Sequence, residues 1–404
     1  MKQAIALTQK ETIALYCLIA LLTIPPVNAL LNDILQLGLN RGSISPISYG
    51  FMGVVGLYSY RYLRNIRPVL IVMMIITILL SLLSYLLYPN IREVFITDDF
   101  NPLTSALIFL PLYAFPTLIC SYYCTPFIEI FLQKIRWISL AWIALGIFDY
   151  VFVVLNGHYF EVNYMTFSYN LLPAVCFSGA IGFKEKKIVD IIASFSGLLF
   201  ILIGGSRGCF GCGVFFYCLL FFKLYGINIK KLVLFALLLL VVISLIFHFS
   251  STFIDSVSDI LEEHGATSRT LLKITEGTVG ESDSRAGIYI VMRNAIWNNP
   301  IGYGLFGDRY IMKCNGYGIG YAHSIIWESL VDFGPFLGSI FLVAFFLKLY
   351  KSIKKTMALP CYEVLIAFVS LGVIKLFMSG SFLEEFFFFA TVGLIFNKKI
   401  YAPN

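Results

Sequence analysis

Three side chains are of a type and in a setting to do chemistry. Arg207 sits in "GGSRG" (204–208), with no other charge between Asp190 and Lys223. A guanidinium stays charged at any working pH and presents a planar fork to paired anionic oxygens. The three glycines let the backbone bend and a bulky ligand come close. The plainer reading is an Arg snorkelling to the interface from a helix end. Arg285 opens "RAGIYIVMRNAIWNNPIGYG", in which Ile288, Val291, Met292, Ala295 and Ile296 share one helical face. Its plainer reading is a solvated charge in a first turn. His323, in "GYAHSIIWESLVDFGPFLG", stands where the chain turns apolar again, with Trp327 expected one turn below it. A lone interfacial His is commonly structural, yet this one could be a neutral base near pH 7 at a bilayer surface.

The elements that must position these residues follow from composition. The 404 residues are 59% hydrophobic and 13% charged, against about 25% charged in an ordinary soluble domain. This is the composition of an all-α polytopic integral membrane protein. The net charge of +6 is therefore not a nucleic-acid footprint; the positions of Lys and Arg carry the information. A window of roughly 20 apolar residues gives about twelve transmembrane helices, at 11–31, 46–60, 68–88, 102–123, 137–155, 165–183, 188–203, 208–224, 231–250, 321–347, 361–379 and 382–396. The chain accordingly divides into nine spans over 1–250, a large outward loop with an amphipathic helix over 251–320, and three spans plus a tail over 321–404. The first span is read as a retained helix, because no small-residue cleavage site follows it.

Most of the 29 basic residues fall in alternate loops, among them Arg61, Arg64 and Arg67, Lys184, Lys186 and Lys187, and Lys348 to Lys355. The positive-inside rule then places both termini in the cytoplasm and the long loop outside, with all four histidines, His158, His248, His264 and His323, on or near the outer face. Lys375 lies mid-span, with Asp149 as a possible partner. Cys209 and Cys212 form a C-x-x-C that could close as a disulfide in an oxidising compartment, but the other cysteines read as small apolar filler. Two famous patterns are set aside. "GGSRG" matches the nucleophile elbow, and "GYGLFG" (302–307) the dinucleotide fingerprint, yet neither has the preceding strand that gives those motifs meaning.

Taken in order, "GGSRG" opening a span, an Arg-led segment ending in "NNPIGYG", and "HS" followed by "LVDFGPFLG" resemble the signature regions of the bacterial O-antigen polymerase and O-antigen ligase superfamily. The resemblance runs from about 197 to 345. Ligases of this kind place G-x-x-G nine residues after the His pair, whereas Gly334 and Gly338 here stand one residue wider apart, which favours the polymerase branch.

The resemblance implies a C-type glycosyltransferase-like architecture with a large periplasmic loop, in a bacterial inner membrane. It implies a metal-independent, cofactor-free enzyme acting on oligosaccharides linked to undecaprenyl diphosphate. Arg207, Arg285 and Arg293 would hold the diphosphate, His323 would take the acceptor hydroxyl's proton, and Glu384 in "GSFLEE" would orient that His or the acceptor. Trp297, Tyr303, Tyr317 and Tyr321 would line a sugar surface, although interfacial aromatics also serve as anchors. A single displacement would invert the anomeric centre. The partners implied are the lipid-linked oligosaccharides, the bilayer and a chain-length regulator protein. A ligase moving finished glycan to lipid A core is the alternative, and a lipid-linked oligosaccharide transporter the remote one.

Overall fold

A computed structural model describes residues 7–38, 41–87, 102–155, 164–204, 206–225, 285–317 and 321–401. The expected span 231–250, residues 251–284 of the expected loop, and His158, His248 and His264 lie outside the described residues. Within them every regular element is helical, as apolar segments must be where only the chain itself can satisfy backbone N–H and C=O groups. In order these are α1 (Gln9–Asp33), α2 (Ser45–Ser59), α3 (Pro68–Leu87), a π-helical stretch (Ser105–Ala114) leading into α4 (Phe115–Cys124), α5 (Glu129–Leu155), α6 (Tyr164–Glu185), α7 (Ile188–Ile203), α8 (Arg207–Tyr225), α9 (Arg285–Asn298), α10 (Gly307–Cys314), α11 (Ile325–Thr356), α12 (Tyr362–Val369), α13 (Lys375–Met378) and α14 (Phe386–Phe396). Among the described residues six segments are long and apolar enough to cross a membrane: Gln9–Leu37, Pro68–Leu86, Ser105–Phe127, Glu129–Val153, Arg207–Leu224 and Ile325–Thr356.

The chain divides into two compact units. One comprises Ile24–Ser48 and Leu132–Glu281. In it α6 and α7 pair closely, because Gly182 brings its backbone to a distance where a Cβ would meet the Ile191 nitrogen at 2.9 Å. Arg136 forks onto Asp190 at the start of α7, with Nε and Nη2 2.8 to 3.1 Å from the carboxylate oxygens. Cys209 and Cys212 are both buried in α8 and are not joined by a disulfide. Cys209 donates its thiol to the Ser168 carbonyl, so the disulfide allowed by the sequence is not formed.

The other unit comprises Met1–Thr23, Tyr49–Phe131 and Ser282–Asn404. There α14 lies tight on α4: Gly393 leaves room for the Leu118 carbonyl, Ser121 donates to the Ala390 carbonyl, and Asn397 donates to that of Tyr122. Lys375 pairs with Glu385 at the start of α14, which corrects the partner expected from sequence. Asp149, in the first unit, is buried with neither carboxylate oxygen hydrogen-bonded among the described residues.

The feature that shapes this unit is a break in α11. Gly334 takes φ 74° and ψ 164°, and Pro335 follows it. In an unbroken helix the Val331 carbonyl would accept from residue 335, which as proline has no N–H, and that of Asp332 from residue 336. Both are satisfied instead by the loop after α9: the Tyr303 N–H donates to the Val331 oxygen and the Gly304 N–H to the Asp332 oxygen, each at 2.9 Å. Backbone lies on backbone here. A Cβ on Gly302 would come within 2.5 Å of the Asp332 oxygen, and one on Gly334 within 2.3 Å of the Pro300 oxygen. Gly302, Gly304 and Gly334 also all have positive φ, which L side chains adopt at a cost of about 1–2 kcal/mol. "NPIGYG" and "LVDFG" are thus two halves of one joint.

Gly302→Ala and Gly334→Ala are each expected to lower stability by at least about 1–2 kcal/mol, read as a reduced thermal midpoint in detergent. Gly53→Ala, in a helix with no neighbour within 4 Å of the new methyl, should hold or raise it.

Candidate active site

Helix α9 reaches its place by the stripe anticipated from the sequence. Ile288 and Met292 are fully buried and Ala295 nearly so, packed with Ile311, Met312, Ala322 and Val331, while Val291 and Ile296 pack against the edge. This docking puts half-buried Arg285 at the head of the helix. Tyr317 lies over it, its hydroxyl where a Cβ on Gly287 would stand 2.7 Å away. Arg293 is exposed. Trp297 is 79% exposed, a placement that also suits a membrane anchor.

His323 is not helical. The residue has φ 54°, in the left-handed region where a non-glycine residue is uncommon, and α11 begins only at Ile325. Trp327 is therefore not one helical turn beneath it; Trp327 stacks on Tyr289, with ring centroids 5.8 Å apart. The imidazole lies against Tyr321, centroids 4.4 Å apart, and the Tyr321 hydroxyl is 3.2 Å from that of Ser379. His323 is buried, and its Nδ1 has no hydrogen-bond partner among the described residues. Burial, and secondarily the charge of Arg285, push its pKa down to about 4. At pH 7 the ring is neutral and able to accept a proton.

Beside this turn lies a buried polar group that pattern reading passed over. Asp308 and Arg309, consecutive at the start of α10, and Glu328 and Asp332, four apart in the first turns of α11, are each no more than 2% exposed. Asp332 accepts the N–H groups of Phe306 and Asp308, both at 3.3 Å. Glu328 accepts the Ser381 hydroxyl and the Phe382 N–H, tying α11 to the turn before α14. Asp308 accepts the Ala322 N–H at 2.9 Å; burial raises its pKa against the opposing pull of Arg309 and that N–H. Arg309 Nη2 lies 2.8 Å from Glu384 Oε2, and the Ser105 hydroxyl donates to the other Glu384 oxygen. The guanidinium also faces the Phe306 ring, 4.7 Å from its centroid. Glu384, expected to orient His323 or the acceptor, is engaged by Arg309 and Ser105.

One oxygen each from Asp308, Glu328 and Asp332 lie within 4.8 Å of one another, a spacing that could hold a cation. Hydrogen bonds already occupy several of these oxygens, and the charge of Arg309 acts on both Asp308 and Glu328. An apolar cavity of about 360 Å³ lies in the same unit. It runs along Met73, Ile76, Phe115 and Phe341 and reaches Leu305 and Leu383, next in sequence to Phe306 and Glu384.

Arg207 lies in the other unit and is the first residue of α8. Ser206 is buried, and its carbonyl accepts the Phe210 N–H. With helix α7 before it rather than a strand, the elbow geometry is absent. Glu328 and Asp332 had a signal that averaging concealed: two carboxylates four residues apart in an apolar window.

Residues 192–343 match the family model described as O-antigen ligase. The matched stretch begins in α7, ends in α11, and contains Arg207, Arg285, His323 and the carboxylates of α10 and α11. It supports the O-antigen ligase and polymerase superfamily, as the motifs suggested. No curated protein and no solved structure matches the chain.

With His323 as the base, the acid limb of the pH profile of kcat/KM should have its midpoint near pH 4 rather than at the 6.5 of a free imidazole. Arg285→Ala, which removes a nearby positive charge, should raise the His323 pKa, read by NMR titration of the imidazole. Because the folded-state pKa is the depressed one, the stability it contributes is present above about pH 6.5 and is lost as pH falls through about 4. Rates measured from pH 3.5 to 8 check the limb, and thermal midpoints over the same range check the stability.

Proposed function

We propose that this chain, which carries the O-antigen ligase and polymerase superfamily match over residues 192–343, is the polymerase of that pair. It moves a growing glycan from undecaprenyl diphosphate onto the non-reducing end of the next lipid-linked repeat unit. The observation that carries the reading is His323: buried, neutral at pH 7 and within electrostatic reach of Arg285, inside the matched stretch.

In this reading His323 removes the proton of an acceptor hydroxyl as its oxygen attacks the anomeric carbon. The bond to the diphosphate breaks, its electron pair leaves with the phosphate oxygen, and the configuration inverts. General-base help of this kind is worth about 10²- to 10⁴-fold. The diphosphate gains negative charge as it leaves, and Arg285 and Arg293 meet it with charge-assisted hydrogen bonds of about 1.5–3 kcal/mol each; the family resemblance implies the same role for Arg207. Permanent cations in these positions do the work that a metal would otherwise do. The apolar cavity suits a stretch of the prenyl chain, and Tyr303, Tyr317 and Tyr321 the sugars. The enzyme then sits in the inner membrane with both termini cytoplasmic and His323 facing the periplasm, where a chain-length regulator can act on it.

The ligase is the second reading, favoured by the description of the matching family; against it stands the wider spacing of Gly334 and Gly338. The transporter reading is weaker than either, because the match implies an enzyme acting by glycosyl transfer. In a strain lacking the chromosomal copy, His323→Ala, Arg207→Ala and Arg285→Ala should each abolish laddered surface polysaccharide at unchanged protein levels. Full ladders from all three would overturn the mechanism. Deletion should leave core plus one repeat unit; bare core with accumulating lipid-linked polymer would show a ligase instead.

A further inference from the structure

Among the described residues the His323 ring has no hydrogen bond through Nδ1, so beyond its packing on Tyr321 its aim depends on the backbone beneath it. That backbone is in the left-handed region, a conformation that persists in a non-glycine residue only when its surroundings impose it. Among the described residues three hydrogen bonds bear on the turn. The Tyr321 hydroxyl meets Ser379, the Ser324 carbonyl accepts the Glu328 N–H in the first turn of α11, and the Ala322 N–H donates to Asp308 Oδ2 at 2.9 Å. Only the last joins the residue next to His323 to a different helix through a side chain with no exposure at all. Asp308 is itself fixed, because its own N–H donates to Asp332 and its neighbour Arg309 is paired with Glu384.

We propose that Asp308 is a positioning residue for His323: by accepting the Ala322 N–H from the start of α10, it holds the left-handed turn that aims the imidazole. The inference rests on the reading of His323 as the general base. Asp308 touches neither substrate nor the reacting atoms, so its removal should slow the chemical step and leave substrate binding nearly intact. Displacing a reacting group by about 1 Å can cost on the order of 100-fold.

The test uses the purified full-length chain in lipid nanodiscs, with a lipid-diphosphate-linked oligosaccharide repeat as both donor and acceptor. Asp308→Ala should lower kcat by about tenfold to a hundredfold with KM changed less than about threefold. Asp308→Asn keeps an oxygen to accept the Ala322 N–H and should recover most of the rate. If the Ala variant does not accumulate in membranes, Asp308→Ser, whose hydroxyl ends short of the Ala322 nitrogen, replaces it with the same expectation. Wild-type kcat in the Ala or Ser variant overturns the proposal, as does an Asn variant as slow as the Ala one, or a loss confined to KM. His323→Ala assayed alongside separates the two layers: an active His323→Ala overturns the base reading, whereas an inactive one beside a fully active Asp308→Ala overturns the positioning alone.

Discussion

A proline cannot donate to the helix turn before it, and much of the second unit follows from that fact at position 335. The Val331 carbonyl in α11 needs a donor that its own helix cannot supply, and in a membrane protein an orphaned carbonyl is expensive. The Tyr303 and Gly304 N–H groups supply the donors for Val331 and Asp332. They can do so only because Gly302 and Gly334 let two backbones meet without a Cβ between them. The loop after α9 is thereby fixed to the top of α11, and α10 starts from a defined point.

From that start the polar group is laid out. The Asp332 carboxylate faces the first N–H groups of α10, where a helix N-terminus favours negative charge. Asp308 then reaches the peptide before His323 and Arg309 reaches Glu384. The carboxylates of Asp332, Glu328 and Glu384 are satisfied by backbone N–H groups, by the hydroxyls of Ser105 and Ser381, and, for Glu384, by Arg309. Losing Glu384 would leave the buried Arg309 charge without its ion-pair partner. The result is a rigid polar shelf beside a neutral imidazole, with an apolar cavity reaching its edge.

Part of this was legible in the amino-acid order. Hydropathy windows located the helices because apolar runs have no other option in lipid, and the 3.6-residue stripe of Ile288, Met292 and Ala295 correctly gave the buried face of α9. The motifs that carry the family resemblance were also visible, but the reason they travel together was not. Gly302 and Gly334 are neighbours through a helix break that no window average shows. Averaging also hid Glu328 and Asp332 among apolar residues, and no pattern in the sequence marks Arg309. His323 was taken as helical, whereas Ser324 precedes the first helical residue. The pairing of Lys375 with Glu385 depends on how the last turn folds back, which spacing alone does not encode.

The central claim is that a neutral His323 drives glycosyl transfer from a lipid diphosphate. Its most direct test is the length of lipid-linked glycan made by the purified chain from a single lipid-diphosphate-linked repeat unit, with no lipid A core present. The account predicts products of two, three and more repeats from the wild-type chain, all remaining on the lipid diphosphate, and none from His323→Ala. Elongation by His323→Ala at the wild-type rate would contradict it.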